Sequence, residues 1–174
     1  MVHSVELLFD PDTEASIRGL WEELTDAGVR SLASSTSPSN RPHVTLAVAE
    51  DMDDDVDDAL LPLLDRLPLS CTIGAPILFG RGPFVLVRLV VPSAELLALQ
   101  ADVHAVCLPH MAPGPLPHAE PGHWTPHVTL ARRVHAEKIA AAMSLRRLSK
   151  DRRGSAVALR HWDGNKRVEH SISA

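Results

Sequence analysis

Tyrosine is absent from this chain of 174 residues, and its aromatic side chains are limited to three phenylalanines and three tryptophans. So few rings exclude an extended platform on which successive bases of a single strand could stack. Cysteine is almost missing too. Cys71 and Cys107 are too few for a disulfide scaffold and lack metal-ligand spacing, which leaves them as buried free thiols. No apolar run approaches the roughly 18 residues of a membrane span. Met1-Val2-His3-Ser4 lacks the basic then apolar plan of a secretory signal, so the expected location is the cytoplasm. Positive charge is scarce in the first half: residues 1–84 hold five Lys and Arg against fifteen Asp and Glu, and residues 85–174 hold twelve against seven. That distribution excludes an evenly basic nucleic-acid binder. It also makes duplex DNA a poor partner, because duplex affinity comes from many phosphate contacts. The positive half can still draw in a short phosphate-bearing end, since steering follows the local field.

What is present is a globular composition, 45% apolar and 22% charged, long enough to bury a full core as one compact domain of two lobes. Within it one pentapeptide occurs twice: Pro42-His43-Val44-Thr45-Leu46 returns as Pro126-His127-Val128-Thr129-Leu130. The repeat implies an internal duplication, with units of roughly 1–84 and 85–174 that each supply one histidine. In an extended strand, successive side chains alternate faces. Each copy therefore offers Val and Leu to a core and, on the other side, an imidazole beside a hydroxyl. Folded face to face, the two copies make one site.

Such a site suits phosphodiester chemistry. A base must take a proton from the nucleophile, an acid must give one to the departing oxygen, and neutral donors must hold the non-bridging oxygens. His43 and His127 supply the first two functions and Thr45 and Thr129 the third. Histidine is suited to both proton transfers because its ordinary pKa, about 6.5, allows either state near neutrality. No metal or cofactor is needed for this set.

The paired His-x-Thr-hydrophobic motifs resemble those of the two-histidine (2H) phosphoesterases, and within them the bacterial proteins called 2′-5′ RNA ligases or RNA 2′,3′-cyclic phosphodiesterases. The resemblance covers most of the chain. It implies an α+β fold of two pseudo-symmetric lobes, each an antiparallel sheet flanked by helices, with a central cleft floored by the motif strands. It also implies hydrolysis of a 2′,3′-cyclic phosphate at an RNA 3′ end or on a small cyclic nucleotide, with a 2′-phosphomonoester as product, in a monomer that needs no membrane. Alternatives are a nucleotide- or RNA-binding module without turnover, and action on another cyclic or 2′-5′-linked nucleotide. In the bacterial family the second motif often continues His-x-Thr-Leu-x-Arg, which matches Arg132 and implies a phosphate or substrate contact. Strict alternation instead puts Arg133 on the His127 face, unless a bulge intervenes. Trp124, just before the second motif, could stack a nucleobase or pack behind the strand.

The remaining elements follow from periodicity. Strands are expected at 5–9, 42–49, 69–79, 84–91, 155–162 and 168–173, and helices at 12–27, 59–67, 96–108 and 136–148. Trp21 falls on the apolar stripe of the first helix. The acidic run 50–58 reads as a solvated cap of the next helix, since it lacks the glycine and closing glutamate of an EF-hand loop. Residues 109–124 read as a long loop with His110, His118 and His123, a candidate lid; His104 reads as a packed or surface residue. The basic run Arg146, Arg147, Lys150, Arg152 and Arg153 suits a helix C-terminus. His161 and His170 read as sheet-surface groups.

Overall fold

A computed structural model describes residues 2–173. The chain runs β1 (His3–Phe9), α1 (Pro11–Asp26), β2 (His43–Met52), α2 (Val56–Leu60), β3 (Leu69–Phe79), β4 (Phe84–Val90), α3 (Ala94–Cys107), β5 (Met111–Pro115), β6 (His127–Val134), α4 (Ala136–Met143), α5 (Arg146–Ser149), β7 (Arg152–Asp163) and β8 (Val168–Ile172). Every strand pairing among them is antiparallel, in the order β5-β2-β1-β7-β3-β4-β6, with β8 on the outer flank of β7. The two motif strands β2 and β6 lie far apart in that order and yet touch, so the sheet is folded about its middle and its two arms face each other.

The arms are related by a repeat of the same three-strand unit. β2-β1-β7 in one corresponds to β6-β4-β3 in the other. The third strand of each arm comes from the opposite half of the chain, so the arms do not coincide with residues 1–84 and 85–174. The helices cross over in the same way: α1 packs behind β6 and β7, and α3 packs behind β2. One face of the folded sheet thus carries the core, with Val5, Leu7, Val44, Leu46, Leu86, Val128 and Leu130 against Leu20, Trp21, Leu24, Leu96, Leu99 and Val103. Burial of this kind contributes about 1.5–3 kcal/mol per large apolar side chain. Cys71 and Cys107 lie inside it, and burial pushes their thiols up to about 11 and about 12.

Local signals set the helix boundaries. Asp10 caps α1, accepting from the Thr13 backbone N–H at 2.9 Å and the Thr13 hydroxyl at 2.7 Å, with Pro11 at the first helical position. Its second oxygen also accepts from the Ser155 N–H at 2.8 Å, which ties the helix start to β7. Opposite Thr13 stands Gly154, where a Cβ would collide with the threonine side chain. The basic exit of α5 is used in the same region: Arg147 reaches Glu23 and the Ser16 carbonyl, and Arg152 reaches the Asp12 carbonyl. Arg88, buried, donates only to carbonyls, those of Ile73, Gly74, Arg147 and Lys150.

Three expectations are corrected. Residues 109–124 are not loop throughout, since Met111–Pro115 adds an edge strand to β2, and Gln100 reaches the Ala119 carbonyl beyond it at 2.8 Å. The expected helix 59–67 is a short α2 followed by a 3₁₀ stretch, because Pro62 removes the N–H a continuing α-helix needs. His161 is fully buried, not a sheet-surface group, because Asp57 of α2, His170 of β8 and His3 of β1 meet its ring. No helix is long and apolar enough to cross a membrane among the described residues.

Thr13 and Ser155 hold the Asp10 carboxyl at about 2, well below its ordinary 3.8. A depressed carboxylate stabilises the fold above its unfolded pKa and loses that contribution as pH falls from about 3.8 through about 2. Asp10→Ala is expected to cost about 1–2 kcal/mol in urea unfolding at pH 7, with the gap to the parent protein closing as pH is lowered through that window.

Candidate active site

The motif histidines are held alike. The Nδ1–H of His43 donates to the Arg41 carbonyl at 2.7 Å, and the Nδ1–H of His127 donates to the Thr125 carbonyl at 2.7 Å. A carbonyl can only accept, so each bond fixes the proton on Nδ1 and leaves Nε2 to take or give one. The strands that carry the two rings touch, and the charge on His43 acts on His127. Thr45 and Thr129 are both half-buried, like the two histidines, two positions further along the same strands.

Immediately after each threonine the ladder skips a residue. Glu6 pairs with Thr45 and Val5 with Ala47, which leaves Leu46 as the extra residue; Val87 pairs with Thr129 and Leu86 with Ala131, which leaves Leu130. Both leucines are buried, and so are the alanines that follow. The bulge shifts the alternation by one. Two residues beyond the bulged Leu130, Arg132 bears a charge that reaches His127, and Arg133, still within β6, sits at φ 58°.

A bulge frees backbone groups that need partners. The Thr45 carbonyl accepts from the Trp124 indole at 2.9 Å, and the Thr129 carbonyl accepts from the Trp21 indole at 3.1 Å. The Leu46 carbonyl takes the amide of Gln100 at 3.1 Å. Two of the three tryptophans thus do the same work in the two arms, each from a segment of the other half. Trp124 packs, partly buried, against the core behind the first motif.

The surroundings of the two imidazoles differ. Beside His43 is Glu6, nearly buried, with one oxygen 3.6 Å from Nε2 of His43 and the other accepting from Arg160 at 2.7 Å. Arg160 also binds Glu169 at 2.6 Å. Beside His127 is Phe79, edge to face at 5.0 Å between ring centres. Desolvation is the main cause that holds the His127 pKa below 6.5, with the charges of His43 and Arg132 acting in the same direction. A depression of about 390 Å³ opens on the His43 side, where Ser37, Asn40, Arg160, Trp162 and Arg167 surround it. Charged and polar groups share its lining with one indole.

Glu6, Arg160 and Phe79 were not singled out from the sequence. The available signals were a lone carboxylate in the otherwise apolar Val5-Glu6-Leu7-Leu8-Phe9 and a lone arginine in Ala156-Val157-Ala158-Leu159-Arg160. The loop histidines do not gather. His110 meets Asp53 at 2.8 Å and His123 lies 3.8 Å from Glu120.

No curated protein sequence matches this chain. Its fold is similar to that of TT0787 of Thermus thermophilus, with a TM-score of 0.60 and 14% identity, covering 99% of this chain and 96% of that one. It is also similar to Escherichia coli LigT in the apo form, with a TM-score of 0.55 and 12% identity, covering 99% and 94%. The model of the 2′-5′ RNA ligase superfamily matches residues 10–166, which hold both His-x-Thr motifs and the bulges behind them; the chain belongs to that superfamily, the two-histidine phosphoesterases.

Proposed function

We propose that the protein is a phosphodiesterase that opens 2′,3′-cyclic phosphates on RNA ends or nucleotides without a metal, with residues 1–174 acting as one catalytic unit. The single observation that carries this reading is the pair of motif imidazoles on touching strands, each with Nδ1–H given to a carbonyl so that Nε2 is the atom left to exchange a proton. Membership of a phosphoesterase superfamily supports the reaction class. The ring-sized depression beside His43 supports a nucleotide as the substrate.

The asymmetry around the rings supports one division of labour. His127, whose pKa is lowered, is neutral at pH 7 and takes the proton from water at Nε2. The oxygen of that water bonds to phosphorus as the bond from phosphorus to the 3′ oxygen breaks. The leaving oxygen receives a proton from Nε2 of His43, on the side where Glu6 supplies a negative charge. Thr45 and Thr129 donate to the non-bridging oxygens as their charge grows, and Arg132 adds a positive charge at the His127 end. Trp124 acts through the first motif by fixing the Thr45 carbonyl. The product is a 2′-phosphomonoester, and proton exchange with solvent resets the two imidazoles.

Purified protein is expected to turn over a 2′,3′-cyclic nucleotide in the presence of EDTA. His43→Ala and His127→Ala are each expected to lower kcat/KM by about 10²–10⁴-fold. Binding of the cyclic nucleotide without turnover would overturn the enzyme reading in favour of a binding module, and turnover only of 2′-5′-linked nucleotides would move the substrate class. The dependence of kcat/KM on pH is expected to be bell-shaped, with the acid limb centred below pH 6.5 because the base must be deprotonated to act. A profile flat from about pH 5 to 8 would contradict the acid–base scheme.

A further inference from the structure

On the sheet face turned away from the motif histidines, three other imidazoles stand in line. β7 separates the two sites: Arg160 points to the cleft and pairs with Glu6, so its neighbour His161 points to the opposite side. His161 is directly across the ladder from His170 of β8, with ring centres 5.1 Å apart, and His3 of β1 lies 5.2 Å from it on the other side. His3 and His161 are buried, whereas His170 is about a quarter exposed. Asp57, from the acidic run at the start of α2, bridges two members of this row. Its two oxygens lie 2.8 Å from Nδ1 of His161 and 2.5 Å from Nδ1 of His170.

Both Nδ1 atoms that face Asp57 are thus turned to one carboxylate. Nε2 of His161 is 2.9 Å from Nδ1 of His3, and Nε2 of His3 lies in ion-pair contact with Asp163 at 3.1 Å and Asp51 at 3.2 Å. With a cation at Nδ1 of His161, Nε2–H of that ring donates to Nδ1 of His3. A histidine metal ligand is commonly oriented in this way, by giving its other N–H to a further acceptor. Charge points the same way: the three carboxylates that touch the row face a single ammonium, that of Lys166, which sits 3.2 Å from Asp163.

We propose that Asp57, His161 and His170 bind a divalent transition metal of the zinc type, with solvent completing the coordination on the open side of His170 and Asp57. Their ligand atoms all lie within 4.8 Å of one another. Zinc bonds of about 2.0–2.1 Å put tetrahedral ligand atoms roughly 3.3 Å apart, so small side-chain movements suffice. Two imidazoles and one carboxylate favour a transition metal over calcium or magnesium. The ion clasps the β7–β8 hairpin to α2, on the reverse of the strand that carries Arg160 to the cleft. It takes no part in the proposed reaction, and its assignment does not rest on that reaction.

The test is calorimetric titration of the metal-stripped full chain with Zn²⁺, together with thermal unfolding and the visible spectrum of the Co²⁺ form. One Zn²⁺ per chain is expected, with a raised unfolding midpoint and a Co²⁺ band typical of nitrogen and oxygen ligands. Asp57→Asn, nearly isosteric, and His170→Ala, on an outer strand, are each expected to weaken binding at least about tenfold, the lower end of what loss of a supporting group causes. Should His170→Ala fail to fold, Asp57→Asn carries the result alone. The His43→Ala/His127→Ala double variant is expected to bind as the parent does. Absence of saturable one-to-one binding would show a row held by its own hydrogen bonds and overturn the proposal. So would binding that survives Asp57→Asn, or that is lost with His43 and His127, since the ion would then sit elsewhere.

Discussion

Five residue pairs between β3 and β7, from Leu69 with Ala156 to Ile73 with Arg152, join the two arms of the sheet. Each of these strands belongs by sequence to one half of the chain and by pairing to the arm of the other. The exchange makes either half incomplete by itself. Without β7, the arm that holds His43 has no strand to carry Arg160; without β3, the arm that holds His127 has no Phe79 beside the ring. The cleft is therefore built from strands of both halves of the chain.

Upon this symmetric frame the site is made unequal. The features shared by the arms fix geometry: the Nδ1–H bond to the carbonyl two residues upstream, the bulge behind the threonine, and the indole that meets the carbonyl freed there. The features that differ set charge. A buried carboxylate, balanced by Arg160, stands by one imidazole, and an aromatic edge and Arg132 stand by the other. In the proposed reaction, equal placement with unequal electrostatics gives two identical side chains opposite parts in a proton transfer. Using backbone carbonyls for orientation leaves side chains free to make that difference.

Much of this was legible in the residues. The duplicated pentapeptide pointed to both histidines, both threonines and the antiparallel α+β plan of a family whose superfamily model the chain matches. Strand 69–79 matched to the residue: Leu69, Cys71 and Ile73 alternate with polar residues at its start, and Pro68 and Gly80 punctuate its ends. Arg132 was ambiguous, because alternation is a local rule and the bulge at Leu130 that breaks it depends on how Leu86 and Val87 pair. The strand at 111–115 was missed since its pairing partner, the open edge of β2, lies some sixty residues away and its own sequence, rich in proline and glycine, has no alternating pattern. His161 read as surface because polar residues alternate there with apolar ones. The layer that buries it comes from α2 and β8, not from its own strand.

The sequence by itself determined what is periodic or repeated: most of the strands and helices, which faces are apolar, and the two His-x-Thr motifs. Those features follow from backbone geometry within a few residues and need no distant contact. Tertiary structure alone decided the exchange of β3 and β7, the side on which Arg132 emerges, the carboxylate beside His43 and the gathering of Asp57 with His161 and His170. Each of these depends on pairing or burial between segments far apart in the chain. The free energy of placing a charge or an imidazole is set by neighbours brought together in folding, and no local pattern encodes them.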